Sequence, residues 1–175
     1  MRRVVLAVCL VVSLAGCAVG GPGATPTPTP SPEAWSVQYN LTNVDPTERT
    51  VTVGVVDGPV ETFALRLESG ERRTESPPIP EDPAEPRTAV YAFEDVAGLN
   101  VAGMTTRLSL RLDPGESATG EFAVAPSETV VFVARGDGGV RAAGLARCGG
   151  TDRMDSVDFL VGSYGPAVGL GCTGS

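Results

Sequence analysis

Histidine and lysine are both absent from this chain of 175 residues, and all 13 basic residues are arginine. The side chains able to do chemistry are therefore carboxylates, arginine, hydroxyls and four cysteines. Without histidine, neither a Ser-His-Asp nor a Cys-His nucleophile system can be assembled, and a histidine-ligated copper or zinc centre is excluded. Without lysine, a Walker P-loop, a Ser-Lys dyad and Schiff-base catalysis are excluded as well. What remains is a pair of carboxylates flanking a glycosidic bond. No spacing among the 21 Asp and Glu marks such a pair. The sequence therefore assigns no catalytic residue and no cofactor. It reads as non-enzymatic, with a carboxylate-dependent hydrolase of glycans as the alternative.

Three smaller constellations remain. Asp152, Asp155 and Asp158 recur at intervals of three. They form a weak candidate for Ca²⁺, which takes six to eight oxygen ligands; a solvated acidic surface is the simpler expectation. Asn40-Leu41-Thr42 is an N-glycosylation sequon. Strand alternation puts Asn40 on the side opposite Trp35 and Tyr39, so it is expected to be accessible. Arg135-Gly136-Asp137 spells an adhesive tripeptide, but Asp137-Gly138-Gly139 marks a hairpin turn, and the turn accounts for the letters.

The N-terminus carries an address. Met1-Arg2-Arg3 precedes an apolar run from Val4 to Leu14 broken only by Ser13. That run is shorter than the roughly 20 residues needed to span a bilayer. It has the proportions of a signal-peptide core. The ending Leu14-Ala15-Gly16-Cys17 resembles the lipobox of secreted lipoproteins. The resemblance implies cleavage after residue 16, lipidation of Cys17, and a membrane-anchored protein on the extracytoplasmic side. Arg2-Arg3-Val4-Val5-Leu6 partly resembles a twin-arginine signal but lacks the usual flanking residues, so either export route fits. Residues 1–16 are thus expected to be a signal peptide and 17–34 a lipid-anchored stalk. Within the stalk, Thr25 to Pro32 alternates proline with Thr or Ser, a pattern that favours extended polyproline II. At about 3.1 Å per residue this tract spans roughly 25 Å.

Residues 35–175 form one domain, and its dominant period is two. Trp35, Val37, Tyr39 and Leu41 alternate with polar residues, as do Val51, Val53 and Val55, Phe63, Leu65 and Leu67, and Leu108, Leu110 and Leu112. One apolar and one polar side is the pattern of a half-buried antiparallel strand. Tyr91 and Phe93, Val130 to Val133, and Val157, Phe159 and Val161 predict further strands. Asp57-Gly58-Pro59, Asp113-Pro114-Gly115-Glu116, Asp137-Gly138-Gly139 and Gly165-Pro166 supply the turns between strands. Only Phe93 to Gly103 has room for a helical turn, and its two glycines argue against much more. The expected fold is all-β, a single antiparallel β-sandwich.

Leu65-Arg66-Leu67-Glu68-Ser69-Gly70-Glu71 recurs 45 positions later as Leu110-Arg111-Leu112-Asp113-Pro114-Gly115-Glu116, with five of seven residues identical. The second copy, leading into Glu121-Phe122-Ala123-Val124, resembles the immunoglobulin-like modules of prokaryotic surface proteins. After export, Cys148 and Cys172 would be the remaining thiols, and an exported pair is expected to be bonded. Cys148 shares parity with Val140, Ala142 and Ala146, and Cys172 with Val168 and Leu170, so both should point inward.

Formal net charge is −8 and pI about 4.5. Loss of Arg2 and Arg3 with the signal would make the mature chain more acidic still. Arginine without lysine, with abundant Gly, Ala and Val, suggests a GC-rich genome. Together with the acidity it resembles secreted proteins of extremely halophilic archaea, with an actinobacterial lipoprotein as second choice. Such charge keeps a protein soluble and monomeric but repels itself until salt screens it. The melting temperature is therefore expected to rise from low to molar salt; equal values would remove the halophile reading. Nucleic acid is not an expected partner, since no net positive field exists to displace phosphate counterions. The membrane, and an envelope protein or glycan, are the expected partners. The first-guess contact segment is the acidic, proline-rich stretch Pro77 to Pro86 with its neighbouring turns.

Overall fold

The computed structural model describes residues 34–77 and 85–174, all strand, turn or irregular backbone. The strands are β1 (Trp35–Asn43), β2 (Arg49–Val56), β3 (Phe63–Leu67), β4 (Arg72–Glu75), β5 (Arg87–Asn100), β6 (Thr105–Leu112), β7 (Ser117–Val124), β8 (Thr129–Gly136), β9 (Gly139–Arg147), β10 (Arg153–Val161) and β11 (Ala167–Thr173). They form a small sheet, in the order β11-β10-β1-β7, and a large one, in the order β4-β3-β5-β9-β8-β2-β6. Leu14 to Cys17, expected to be a lipobox, and the Thr25 to Pro32 tract, expected to be a stalk, lie outside the described residues.

Period-two patterning builds the main core between the sheets. Val37 and Leu41 of β1, with Val157 and Phe159 of β10, face Val51 and Val53 of β2 and Val130 and Phe132 of β8. Phe132 and Phe159 stack at 4.9 Å with their rings 9° apart, one from each sheet. Gly144 on β9 makes room for this contact: a Cβ there would lie 2.6 Å from a Val168 methyl and 3.0 Å from the Phe159 ring. Trp35 closes one margin by donating Nε1–H to the Met154 carbonyl at 2.8 Å, with Arg153 lying 5.0 Å over its ring.

The large sheet is apolar on both faces. Val131 and Val133 point away from the small sheet into a second cluster with Phe63, Leu65, Val96, Val101 and Leu145. This is why Val130 to Val133 is a continuous buried run and not an alternating one. The second cluster is assembled by β3, by β5 and by the segments around Val60 and Met104.

The fold is the expected all-β sandwich, and three details of it are corrected. The sandwich is not antiparallel throughout: β1 pairs with β10 in parallel. Such a pair needs a long crossover, and here all seven strands of the large sheet intervene between its two strands in the chain. Phe93 to Gly103 holds no helical turn. Most of it belongs to β5, where an irregularity between Ala92 and Val96 interrupts the pairing with β9. Arg141 bridges that bulge, donating from Nη1 to the Glu94 carbonyl at 2.8 Å. The extra residues reset the inward parity of the strand. Val140 does not share a face with Ala142 and Ala146. A register shift opposite Ala134 and Arg135 turns Val140 into the second cluster, while the two alanines face the first.

The repeated heptapeptides have the same turn chemistry and different tasks. Gly70 (φ 88°) closes the hairpin from β3 to β4 within the large sheet. Gly115 (φ 77°) carries the chain from β6 at the edge of the large sheet to β7 at the edge of the small one. The bond from Glu116 N–H to the Asp113 carbonyl, 3.0 Å, completes the second turn. At Asp137-Gly138 both residues have positive φ, 49° and 82°, as a two-residue type I′ hairpin requires.

Candidate functional site

Cys148 and Cys172 are bonded, with Cα atoms 5.8 Å apart. The bridge links the residue after β9, in the large sheet, to β11, at the edge of the small one. In the chain-entropy model a closed loop of this size contributes roughly 3.5 kcal/mol. Asn40 lies in mid-strand on the polar face of the small sheet, between Thr119 of β7 and Asp158 of β10. It is half-buried there, less open than a loop sequon. Asp152 precedes β10, while Asp155 and Asp158 are exposed along it. Among the described residues no group of three or more acidic or thiol side chains is placed to hold a metal ion. Asp137 of the Arg-Gly-Asp tripeptide accepts a 3.3 Å bond from Arg49 Nη1, which gives it a structural partner. Residues 78–84 of the acidic proline-rich stretch lie outside the described residues; its flanks, Pro77 and Arg87, do not.

The two ends of the sandwich have opposite chemistry. At one end the turns are tied by a buried polar network. Asn43, fully buried, donates from Nδ2 to the carbonyls of Thr47, Leu112 and Asp113 at 2.9, 3.1 and 3.2 Å. Its Oδ1 accepts the Asp45 N–H at 3.0 Å. Asp45 in turn accepts from Arg49 Nε at 2.8 Å and from Ser163 Oγ at 3.2 Å. Four separate connections therefore meet in one satisfied cluster, the arrangement in which buried polar groups rigidify a structure.

The disulfide end carries a cleft with unsatisfied groups. It is a cavity of about 190 Å³, walled by Pro59, Val60, Pro77, Ala89 and Leu145, with Arg87 and Arg147 along it. The two arginines are directly paired across β5 and β9, two residue pairs beyond Ala89–Leu145. Like charges facing each other across strands are destabilising. Neither arginine side chain has a hydrogen bond or ion pair among the described residues. The five ion pairs found there engage Arg49, Arg73, Arg107 and Arg111 instead. Nε of Arg147 is buried with no acceptor. Tyr91 belongs to the same row of β5 residues, and its hydroxyl is also buried and unpartnered. Burial pushes the Tyr91 pKa up, and the charge of Glu75 adds to the rise. A buried donor left unpaired costs about 1–3 kcal/mol, so this end of the fold is held at a loss.

Sequence reasoning missed this pair. Arg87 follows Pro86 and Arg147 precedes Cys148, but their juxtaposition depends on the β5–β9 register, which no local pattern encodes. The only pointer was the proline-rich stretch, whose two flanks border the cleft.

The chain matches no known family model, no curated protein and no solved structure.

Proposed function

We propose that this chain is a lipid-anchored protein of the cell envelope whose β-sandwich serves as a non-enzymatic binding or scaffolding module. Leu14-Ala15-Gly16-Cys17, behind a basic start and a short apolar run, carries the reading. The Cys148–Cys172 bridge supports it, because disulfides persist in oxidising, extracytoplasmic compartments. The Pro-Gly turn after Leu112 supports an immunoglobulin-like kind of sandwich, a form suited to protein or glycan contact through its end loops.

A hydrolase of envelope glycans is the weaker reading. Glu121 and Asp158 do share a shallow groove on the small sheet. Its aromatic residue, Tyr39, packs against the inter-sheet core beside Phe122, 6.0 Å away, which leaves little ring surface for stacking a sugar.

The anchor is tested by fractionating cells that express the full chain or its Cys17→Ser variant. The native chain should sediment with membranes and take up labelled lipid, and the variant should do neither. Identical fractionation and labelling of the two would defeat the reading. Partner capture needs a photochemical or carboxylate-reactive cross-linker, since the chain offers no lysine.

A further inference from the structure

We infer that the cleft over the paired ends of β5 and β9 is a binding site for a small apolar monocarboxylic acid, its carboxylate held by Arg87 and Arg147. The assignment rests on reading the domain as a binding module and names the ligand class for it.

Charge is the first argument. A formal net charge of −8 disfavours anions over the chain as a whole. Yet two arginines lie side by side at one cleft, opposed across the ladder and free of any ion pair among the described residues. Glu61 also lines the cleft but pairs with neither. A carboxylate between the two guanidinium groups would relieve their mutual repulsion and supply the acceptor that the buried Nε of Arg147 lacks. Guanidinium forks match a carboxylate's two oxygens in geometry, and such charge-assisted bonds are the strong ones.

Size and polarity set the rest of the ligand. A dry cavity of about 150 Å³ admits benzene. The volume here, about 190 Å³, therefore takes one ring or a branched chain of similar bulk. Val60, Ala89 and Leu145 provide an apolar wall for it. Leu145 is continuous with the second hydrophobic cluster, and Val60 and Ala89 pack against that cluster, so the wall is supported from behind. Thr129, in the same lining, already donates its hydroxyl to the Gly58 carbonyl at 2.6 Å, and the arginines are the cationic donors of the cleft.

The test uses the purified full-length chain in detergent, with its valine and leucine methyls labelled. Phenylacetate and 4-methylpentanoate are titrated in, with phenylacetamide as the uncharged counterpart. Saturable shifts at the Val60 and Leu145 methyls are expected, with at least about tenfold weaker binding of the amide. Arg147→Gln and Arg87→Gln should each weaken carboxylate binding at least about tenfold without lowering the melting temperature, since each removes an unpaired like charge. A residue needed only for the fold would instead lower the melting temperature. If Arg147→Gln does not fold, the half-exposed Arg87→Gln carries the same test. The inference is overturned if neither acid binds more tightly than about 10 mM, if the amide binds equally well, or if both variants retain full affinity. Failure here with Cys17-dependent anchoring intact would remove the ligand alone. Carboxylate binding by a chain that never reaches the membrane would instead remove the envelope reading.

Discussion

Phe132→Ala is expected to destabilise the domain by about 3–5 kcal/mol, the usual cost of deleting a buried aromatic ring. In a domain of this size that lowers the melting temperature by about 10–15 °C. Phe132 is fully buried and stacks on Phe159 at 4.9 Å, so the ring is a principal contact between the two sheets. Removal leaves a cavity with little means of closing. Its partners on the flanking strands are Val53 and Gly144, and the separation of those strands is set by ladder hydrogen bonds and not by side-chain bulk. Phe132→Leu, which restores much of the volume, should recover more than half of the loss. Thermal and chemical denaturation of the three proteins at one salt concentration checks both values. A Phe132→Ala domain within 1 kcal/mol of the parent, taken as about the error of such a comparison, would mean that the sheets do not depend on this stack.

Arg49→Ala should cost a similar amount, about 3–5 kcal/mol, for an electrostatic reason. Arg49 and Asp45 are both buried and joined at 2.8 Å. Truncating Arg49 strands a carboxylate whose remaining side-chain partner is Ser163 Oγ. Asp45 sits on the connection between β1 and β2, and Asp137, the second partner of Arg49, sits on the β8–β9 hairpin. The loss should therefore loosen turns that are far apart in sequence. Gly136 enforces the geometry, because a Cβ there would collide with the Arg49 guanidinium. The double variant Asp45→Asn with Arg49→Met removes the stranded charge and should be more stable than Arg49→Ala alone. Equal stability of the two variants would show that packing, and not the unpaired charge, accounts for the effect. Urea midpoints, with hydrogen exchange at the two turns, make the comparison.

Much of the fold was legible in local patterns. Trp35 to Leu41, Val51 to Val55 and Val157 to Val161 were readable as half-buried strands, because side chains alternate between faces whatever a strand is paired with. Asp137-Gly138 and Pro114-Gly115 were readable as turns, because positive φ is a property of single residues. The absence of histidine and lysine likewise bounded the chemistry before any contact was known. The pairing of Cys148 with Cys172 followed from an expected oxidising compartment together with a shared inward parity.

Properties of pairs were not legible. Parity is reliable only until a bulge intervenes, and the irregularity near Arg141 sent Val140 to the face opposite Ala142. The parallel contact of β1 with β10 brings together segments from opposite ends of the domain, and alternation carries no information about which strand lies beside which. The tasks of the two repeated heptapeptides diverged for the same reason: one local turn serves equally within a sheet or between sheets. The candidate site is the clearest case. Arg87 and Arg147 are unremarked residues at the ends of two strands until the β5–β9 register places them on one rung, over an apolar cleft. Composition and alternation dictate what each segment is, since those effects act through one residue and its neighbours. Long-range register decides which charges face each other, and at that cleft it leaves two of them without a partner.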